Sequence, residues 1–483
     1  MITAPANASG DRLEGFIDGE WIGVDADGWI AVEDPSTEER IGSVPDVTAE
    51  AVDLAVTAAG RALAEWSGTP VSERAAALDR LADLIEQSAS ELGQLIAREV
   101  GMPLVQATQI QARLPQDVFR GAAAEIGRHP LVEREARAEI HYEPAGVVAA
   151  ITPWNFPLHQ IAAKVGPALA AGCTVVLKPS ELAPLNAFLL ADLITAAGIQ
   201  PGAFNLITGR GPRGGEALVT HPDVDVVSLT GSVRAGRRVG ELAGASIKRV
   251  ALELGGKSPS VVLDDADLEA AVRFDVQRGF LNSGQACNAC TRVIVPAGRL
   301  AEAEAIAADE AGKIRVGPAL APESTMGPLI SASQRERVLD YIDDGLRSGG
   351  RIVSGGRERP EGLERGHFVQ PTIFSAVDPS TRIAREEIFG PVLCLFAHHG
   401  DDHAIALAND TDFGLAAEVW SSDSERAKRI ARCLRVGQVK LNGVRTRDAL
   451  SAPFGGFKRS GIGRELGRWG LEEFLEVKAV LGG

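Results

Sequence analysis

Long apolar runs are scarce in this 483-residue chain, and none is clean enough to cross a bilayer. The most apolar stretch, 161–177, is broken by Lys164, Gly166, Pro167 and Gly172, which excludes an uninterrupted span of about 20 apolar residues. Cysteine is sparse as well: five residues at irregular spacing make no disulfide framework. Positive charge is in deficit, with a net charge of −16 and no basic stripe, so the phosphate backbone of a nucleic acid is not an expected partner. Residues 1–12 hold neither a basic leader nor an apolar core, and the expected location is the cytoplasm. Internal repeats, linkers and low-complexity tracts are missing too. One cluster, His398-His399-Gly-Asp401-Asp402-His403, has metal-ligating residue types, but on a polar turn such groups are ordinarily solvated, and no metal is expected.

What is present has the proportions of a soluble enzyme, 45% hydrophobic and 24% charged, at a length that calls for two or three domains. Residues 13–50 mix short apolar runs with Gly and Asp, as in Phe16-Ile-Asp-Gly-Glu-Trp-Ile22, and predict a small strand pair. From 48 to 128 apolar residues recur at helical spacing, for example Leu78, Leu81, Leu84 and Ile85. Between 145 and 256 the pattern alternates, with candidate strands at 146–152, 173–178, 204–208, 224–230 and 248–254 and helical segments such as 184–197. Alternation of this kind implies an α/β fold with a parallel, doubly wound sheet and ligands beyond the carboxyl ends of its strands. A second alternating region covers about 256–459, opening with Val261-Val-Leu263 and a helix at 267–278. Two segments, 129–143 and 472–481, alternate in polarity as solvent-facing strands. Each looks too lone to be stable, which predicts pairing with another subunit.

Chemistry-bearing residues fall at the ends of these strands. Cys287 sits in Phe280-Leu-Asn-Ser-Gly-Gln-Ala-Cys287-Asn-Ala-Cys290, and a thiol attacks as the thiolate, so a nucleophile needs donors or positive charge nearby. Glu253, followed by Leu-Gly-Gly-Lys257, is a carboxylate placed to act as a base toward water. Asn155, in Ile151-Thr-Pro-Trp154-Asn155-Phe156-Pro157, offers a neutral donor that stabilises a developing alkoxide without titrating. Two glycine patterns compete for a diphosphate: Gly209-Arg-Gly211-Pro-Arg-Gly214 and Thr230-Gly231-Ser232-Val-Arg-Ala-Gly236. The second turns from strand to helix, where free N–H groups and the helix dipole favour an anion.

Taken together, these motifs resemble the aldehyde dehydrogenase superfamily, NAD(P)-dependent and of the hydrolytic branch, over nearly the whole chain. The resemblance implies a Rossmann-like cofactor domain (1–125 with 145–255), an α/β catalytic domain (256–459) and a small β oligomerisation flap (126–144 with 460–483). It implies Cys287 as nucleophile, Glu253 as general base, Asn155 with the Cys287 N–H as the oxyanion donors, and Lys178 as a further catalytic residue. Lys178 and Glu181 of Val176-Leu-Lys178-Pro-Ser-Glu181 would hold the adenosine ribose, a carboxylate there favouring NAD while leaving NADP possible. Gly231 and Ser232 would face the diphosphate, with Gly211 nearer the adenine. Ile151, Trp154 and Leu254 would complete the cofactor cleft, while Glu387 and Phe389 of Glu386-Glu387-Ile-Phe389-Gly390-Pro391 would meet the nicotinamide end. Asn442-Gly443 and 452–465 match the family's substrate-channel segments, and a homodimer or homotetramer is implied.

Some features leave room for other readings. Cys290 completes a C-x-x-C, compatible with a thiol redox protein or with a reversible Cys287–Cys290 disulfide. Some similar enzymes pass the acyl group to coenzyme A, which Glu253 argues against. Gln160 and Ala163 stand where small-aldehyde relatives often carry bulky residues, suggesting a roomier or more polar tunnel. Arg445 or Arg447 would suit the carboxylate of a semialdehyde, unless paired internally with Asp448.

Overall fold

The computed structural model describes residues 10–445 and 449–482; Arg447 and Asp448 lie outside them. Five parallel strands form the centre of an eight-stranded sheet, in the spatial order Phe204–Leu206, Thr174–Lys178, Val147–Ile151, Val226–Thr230 and Arg249–Glu253. These are the five alternating-region strands expected from sequence, each trimmed by one to two residues at one or both ends. The four from Val147 to Leu206 and Val226 to Thr230 are almost wholly buried, as a sheet covered by helices on both faces requires. The hairpin Glu14–Ile17 and Glu20–Gly23 extends one edge, and Gly461–Ile462 pairs with Leu252–Glu253 on the other.

The predicted helical stretch forms Ala49–Gly68, Val71–Gln87, Ala89–Val100 and Arg113–Arg128. Leu78, Leu81 and Ile85 recur on one face and are fully buried, so truncating one of them to alanine removes about 2–5 kcal/mol of stability. A second sheet of seven strands runs Arg351–Ser354, Thr372–Ser375, Val392–His398, Cys290–Pro296, Ser258–Val262, Ala416–Trp420 and Gln438–Leu441. Only its first pairing is antiparallel.

One expectation needs correcting. The two supposedly lone strands pair with each other inside the chain: Leu475–Leu481 runs antiparallel to Ala138–Pro144, from Leu475 opposite Pro144 to Leu481 opposite Ala138. Val132–Glu135 adds a third strand on the far side. Their sequence separation hid the match, because alternation marks a strand without naming its neighbour. No helix among the described residues is long and apolar enough to cross a membrane.

Candidate active site

The chain leaves the first sheet at Glu253 and enters the centre of the second at Ser258, so residues 254–257 stitch the two sheets together. A cavity of about 890 Å³ opens along this seam. It gathers residues from five separate strand or turn ends: Trp154 and Asn155, Gly231 and Ser232, Leu254, Cys287, and Glu387 with Phe389. Glu253 is buried beside it and close enough to act electrostatically on Cys287. Ile151, Lys178, Glu181 and Gly211 are not part of this lining. Ile151 and Lys178 end neighbouring strands in register with each other, and Gly211 begins the turn Gly211–Gly215.

The Cys287 turn is over-determined by hydrogen bonds. Asn282, Ser283 and Gly284 all have positive φ (51°, 57° and 72°), a backbone that side chains other than glycine adopt only when neighbours hold it. Here Ser283 Oγ donates to the Gly327 carbonyl at 2.8 Å, and the Ile330 N–H donates to Gln285 Oε1 at 2.9 Å. Asn282 Nδ2 donates to the Asn155 carbonyl at 2.9 Å, which ties the nucleophile turn to the Asn155 segment. Asn155 itself is buried, and its Nδ2 donates one hydrogen to the Gln285 carbonyl at 3.0 Å. An amide nitrogen carries two hydrogens, so the second remains for a ligand in the cavity. Gly256 is required beneath the turn, since a Cβ there would fall 2.4 Å from the Cys287 carbonyl oxygen.

Of the donors or positive charge expected at the thiol, the nearest charged groups supply neither. Burial pushes the Cys287 thiol up to about 12, and Glu387, Glu253 and Glu465 push in the same direction. Burial also raises Glu253 well above the usual carboxylate range, aided by Glu465 and opposed by Lys164 and Arg464. Glu387 is raised to about 7 by burial, although its Oε1 accepts from the Gly256 N–H at 3.0 Å. The resting thiol is therefore protonated, and burial holds both Glu387 and Glu253 beside it above the usual carboxylate range. Glu253 has no hydrogen-bond partner for either oxygen among the described residues, which leaves it open to water or substrate. Lys164, by contrast, is locked to Glu465 at 2.5 Å.

The cavity's two ends suit a dinucleotide. At one end Ser232 caps the helix Val233–Ala245, its Oγ accepting from the Ala235 N–H at 3.2 Å; the other N–H groups of that first turn are an anion site. At the other, Trp154 and Phe389 meet edge to face with ring centroids 5.3 Å apart, beside the Glu387 carboxyl. Outside the cavity lining, Lys178 Nζ donates to the carbonyls of Pro179 (3.0 Å) and Gly209 (2.6 Å). Two of its three hydrogens weld the strand end to the next turn and one is left over.

Sequence reasoning missed the cavity's rim. Arg234, Arg237, Arg337, Arg382, Arg385 and Arg459 all border it, although the chain as a whole is acidic and shows no basic stripe. The sequence signals were two i,i+3 pairs, Arg234 and Arg237 on the helix after Ser232 and Arg382 and Arg385 on the short helix Arg382–Arg385; Arg337 and Arg459 converge from separate elements. The remaining special features have local explanations. Cys287 and Cys290 are both free thiols, Cys290 being buried in strand Cys290–Pro296. His398 Nε2 lies 3.0 Å from the Val262 carbonyl, while His399 and His403 stack on each other.

A doubly wound sheet with a helix N-terminus, an aromatic pair and a cysteine around one cavity at its strand ends defines a dinucleotide-dependent oxidoreductase. Comparisons with known proteins narrow the class. The profile of the aldehyde dehydrogenase family matches residues 21–480. A 3-succinoylsemialdehyde-pyridine dehydrogenase from Pseudomonas sp is 48% identical, covering 98% of this chain and 99% of its own. A geranial dehydrogenase from Castellaniella defragrans is 42% identical over 97% and 98% of the two chains. Among solved structures, a cysteine-to-alanine variant of an aldehyde dehydrogenase from Pseudomonas syringae, in complex with NAD+ and octanal, superposes with a TM-score of 0.97 at 46% identity, covering 100% and 99% of the chains. The NAD+ complex of the Bacillus cereus enzyme gives 0.93 at 38% identity over 97% and 96%. The chain belongs to the aldehyde dehydrogenase family, and it is an NAD(P)-dependent oxidoreductase acting on aldehydes.

Proposed function

We propose that the chain oxidises a roomy or acid-bearing aldehyde to its carboxylic acid through a thioester on Cys287. The observation that carries this reading is the convergence of Cys287, the spare Asn155 N–H and the unpartnered Glu253 carboxyl around one cavity. Cys287 Sγ releases its proton to solvent water and bonds to the aldehyde carbon, while Asn155 and the Cys287 N–H receive the oxyanion of the thiohemiacetal. The bound nicotinamide supplies the hydride acceptor. As the C–H bond to the former aldehyde carbon breaks, the oxyanion collapses to a thioester. Glu253 then takes a proton from water, the hydroxide adds to the thioester, and the C–S bond breaks to release the acid and restore Cys287. Assaying NADH and carboxylic acid together tests this: one acid per NADH without coenzyme A is expected, and a strict need for coenzyme A as acceptor would contradict it.

Residues 1–125 with 145–255 hold the cofactor in this reading, 256–459 supply catalysis, and 126–144 with 460–483 bridge subunits. NAD is the preferred cofactor, because a carboxylate at Glu181 beside Lys178 suits ribose hydroxyls and repels a 2′-phosphate. Glu387 binds the nicotinamide ribose, which makes Gly255 a sensitive position: a Cβ there would fall 2.1 Å from Glu387 Oε2. Gly255→Ala is expected to raise KM for NAD about tenfold with kcat for saturated enzyme less affected; an unchanged KM would remove Glu387 from the cofactor site.

Substrate size follows from Ala163. It borders a second, mostly apolar cavity of about 100 Å³ with Pro167, Leu450 and Leu466, one helical turn beyond Gln160 in the main cavity. In this reading the space beside Ala163 serves the tail of a medium-chain, terpenoid or semialdehyde substrate. Ala163→Trp is expected to lower kcat/KM for octanal at least tenfold while sparing propanal; equal losses for both would reject the tunnel reading. In this reading Arg445 clasps a second carboxylate on the substrate, and Arg445→Ala compared on acidic and neutral aldehydes tests it: an acid-selective loss of kcat/KM is expected, and equal losses on both would contradict it. Assembly as a homodimer or homotetramer accounts for the outer strand Leu475–Leu481, whose Val477, Val480 and Leu481 are 61%, 45% and 80% exposed. A monomer by light scattering at assay concentration would contradict it.

A further inference from the structure

A π-helical turn, Ala107–Ala112, precedes helix Arg113–Arg128; this wider coil is rare and frequently marks a functional site. The turn is tightly seated. A Cβ on Gly93, in helix Ala89–Val100, would fall 2.3 Å from Thr108 Oγ1, and just before the turn Gln106 Nε2 donates to the Thr325 carbonyl at 2.7 Å. Near its end stands Gln111, fully buried, whose Nε2 donates to the Asn155 carbonyl at 3.0 Å. Gln111 Oε1 has no hydrogen-bond partner among the described residues. An amide buried with its acceptor unmet is costly, so a glutamine in place of an apolar residue here points to work done by its one donated bond.

We infer that Gln111 is a positioning residue for the oxyanion donor: its hydrogen bond to the Asn155 carbonyl sets that backbone so that the Asn155 amide presents its spare N–H to the cavity. The inference rests on the reading of Asn155 as that donor. Two side-chain amides converge on the one carbonyl, Gln111 Nε2 from the helical layer and Asn282 Nδ2 from the nucleophile turn at 2.9 Å. A carbonyl oxygen offers two lone pairs, so the acceptor is filled and the peptide after Asn155 is fixed by both. The side chain is fixed separately, Asn155 Nδ2 donating to the Gln285 carbonyl at 3.0 Å. The two clamps differ in what else they hold. Asn282 belongs to the nucleophile turn, where its Nδ2 also lies 3.3 Å from the Gln285 carbonyl and its own carbonyl accepts from Gln285 Nε2 at 3.0 Å. Losing Asn282 therefore loosens Cys287 and Asn155 together. The Gln111 amide donates to Asn155 and to no atom of that turn, so losing it acts on Asn155 alone.

The test compares two reactions of one sulfur. First-turnover NADH formation with octanal passes through the oxyanion, whereas alkylation of Cys287 by iodoacetamide displaces iodide and forms none. Gln111→Met, close in volume to glutamine but without the donor, is expected to slow the first turnover about tenfold, a fraction of what a lost oxyanion donor costs. Alkylation and NAD binding are expected to stay within about twofold of the parent. Asn155→Ala is expected to slow the first turnover at least as much, and adding Gln111→Met to it to cost little more, because both act through one N–H. Gln111→Asn, whose amide is one methylene too short to reach, serves if the Met variant does not fold. A first turnover matching the parent, a loss shared equally by alkylation, or full additivity with Asn155→Ala overturns the inference alone. An Asn155→Ala variant as fast as the parent overturns the oxyanion reading and the inference with it.

Discussion

Replacing Cys287 by alanine is expected to reduce kcat at least about a thousandfold, because no other group can form the covalent adduct on which the oxidation depends. Such a loss corresponds to about 4 kcal/mol of transition-state stabilisation. The structure makes the variant clean: Cys287 is half-buried on the cavity wall, and the turn is held by Asn282, Ser283 and Gln285 rather than by the thiol. NAD binding, followed by quenching of Trp154 or by calorimetry, is expected to stay within about twofold of the parent. Retained turnover in Cys287→Ala would remove the nucleophile from this residue.

Glu253→Gln is expected to separate the two half-reactions. Acylation and hydride loss proceed, giving a burst of about one NADH per active site, and steady-state turnover then falls by roughly a hundredfold or more, the range of a lost general base. The pH dependence carries a sign. Burial and Glu465 raise Glu253 above the usual carboxylate range, so it is protonated and unable to accept from water below that raised value. The deacylation rate of the parent therefore climbs with pH through a range higher than an ordinary glutamate's, and this limb vanishes in Glu253→Gln. A Gln variant lacking the burst, or keeping the parent's limb, would move the base elsewhere.

Much of the site was legible in the sequence because its residues sit at strand ends, where alternation and glycine-rich turns mark them without knowledge of partners. Asn155 follows Val147–Ile151, Ser232 follows Val226–Thr230 and Glu253 ends Arg249–Glu253, each where a doubly wound sheet presents ligands-facing groups. Contacts between distant segments were not legible. Lys164 meets Glu465 across 301 positions, Gly461 pairs with Glu253, and Leu475–Leu481 finds Ala138–Pro144; none of these pairings leaves a local pattern. Charge was misleading in the same way. A chain of net −16 still gathers six arginines on one rim, and it surrounds the thiol with carboxyl groups where local reasoning called for donors or positive charge. Whether a charge neighbours a thiol depends on the third dimension, which composition averages away.

The central claim is a carbon–sulfur bond on Cys287, and intact-protein and peptide mass spectrometry of Glu253→Gln, quenched after mixing with NAD and octanal, tests it most directly. The account predicts an octanoyl mass increment confined to the peptide carrying Cys287, formed in step with one equivalent of NADH. NADH produced with that peptide unmodified would contradict it.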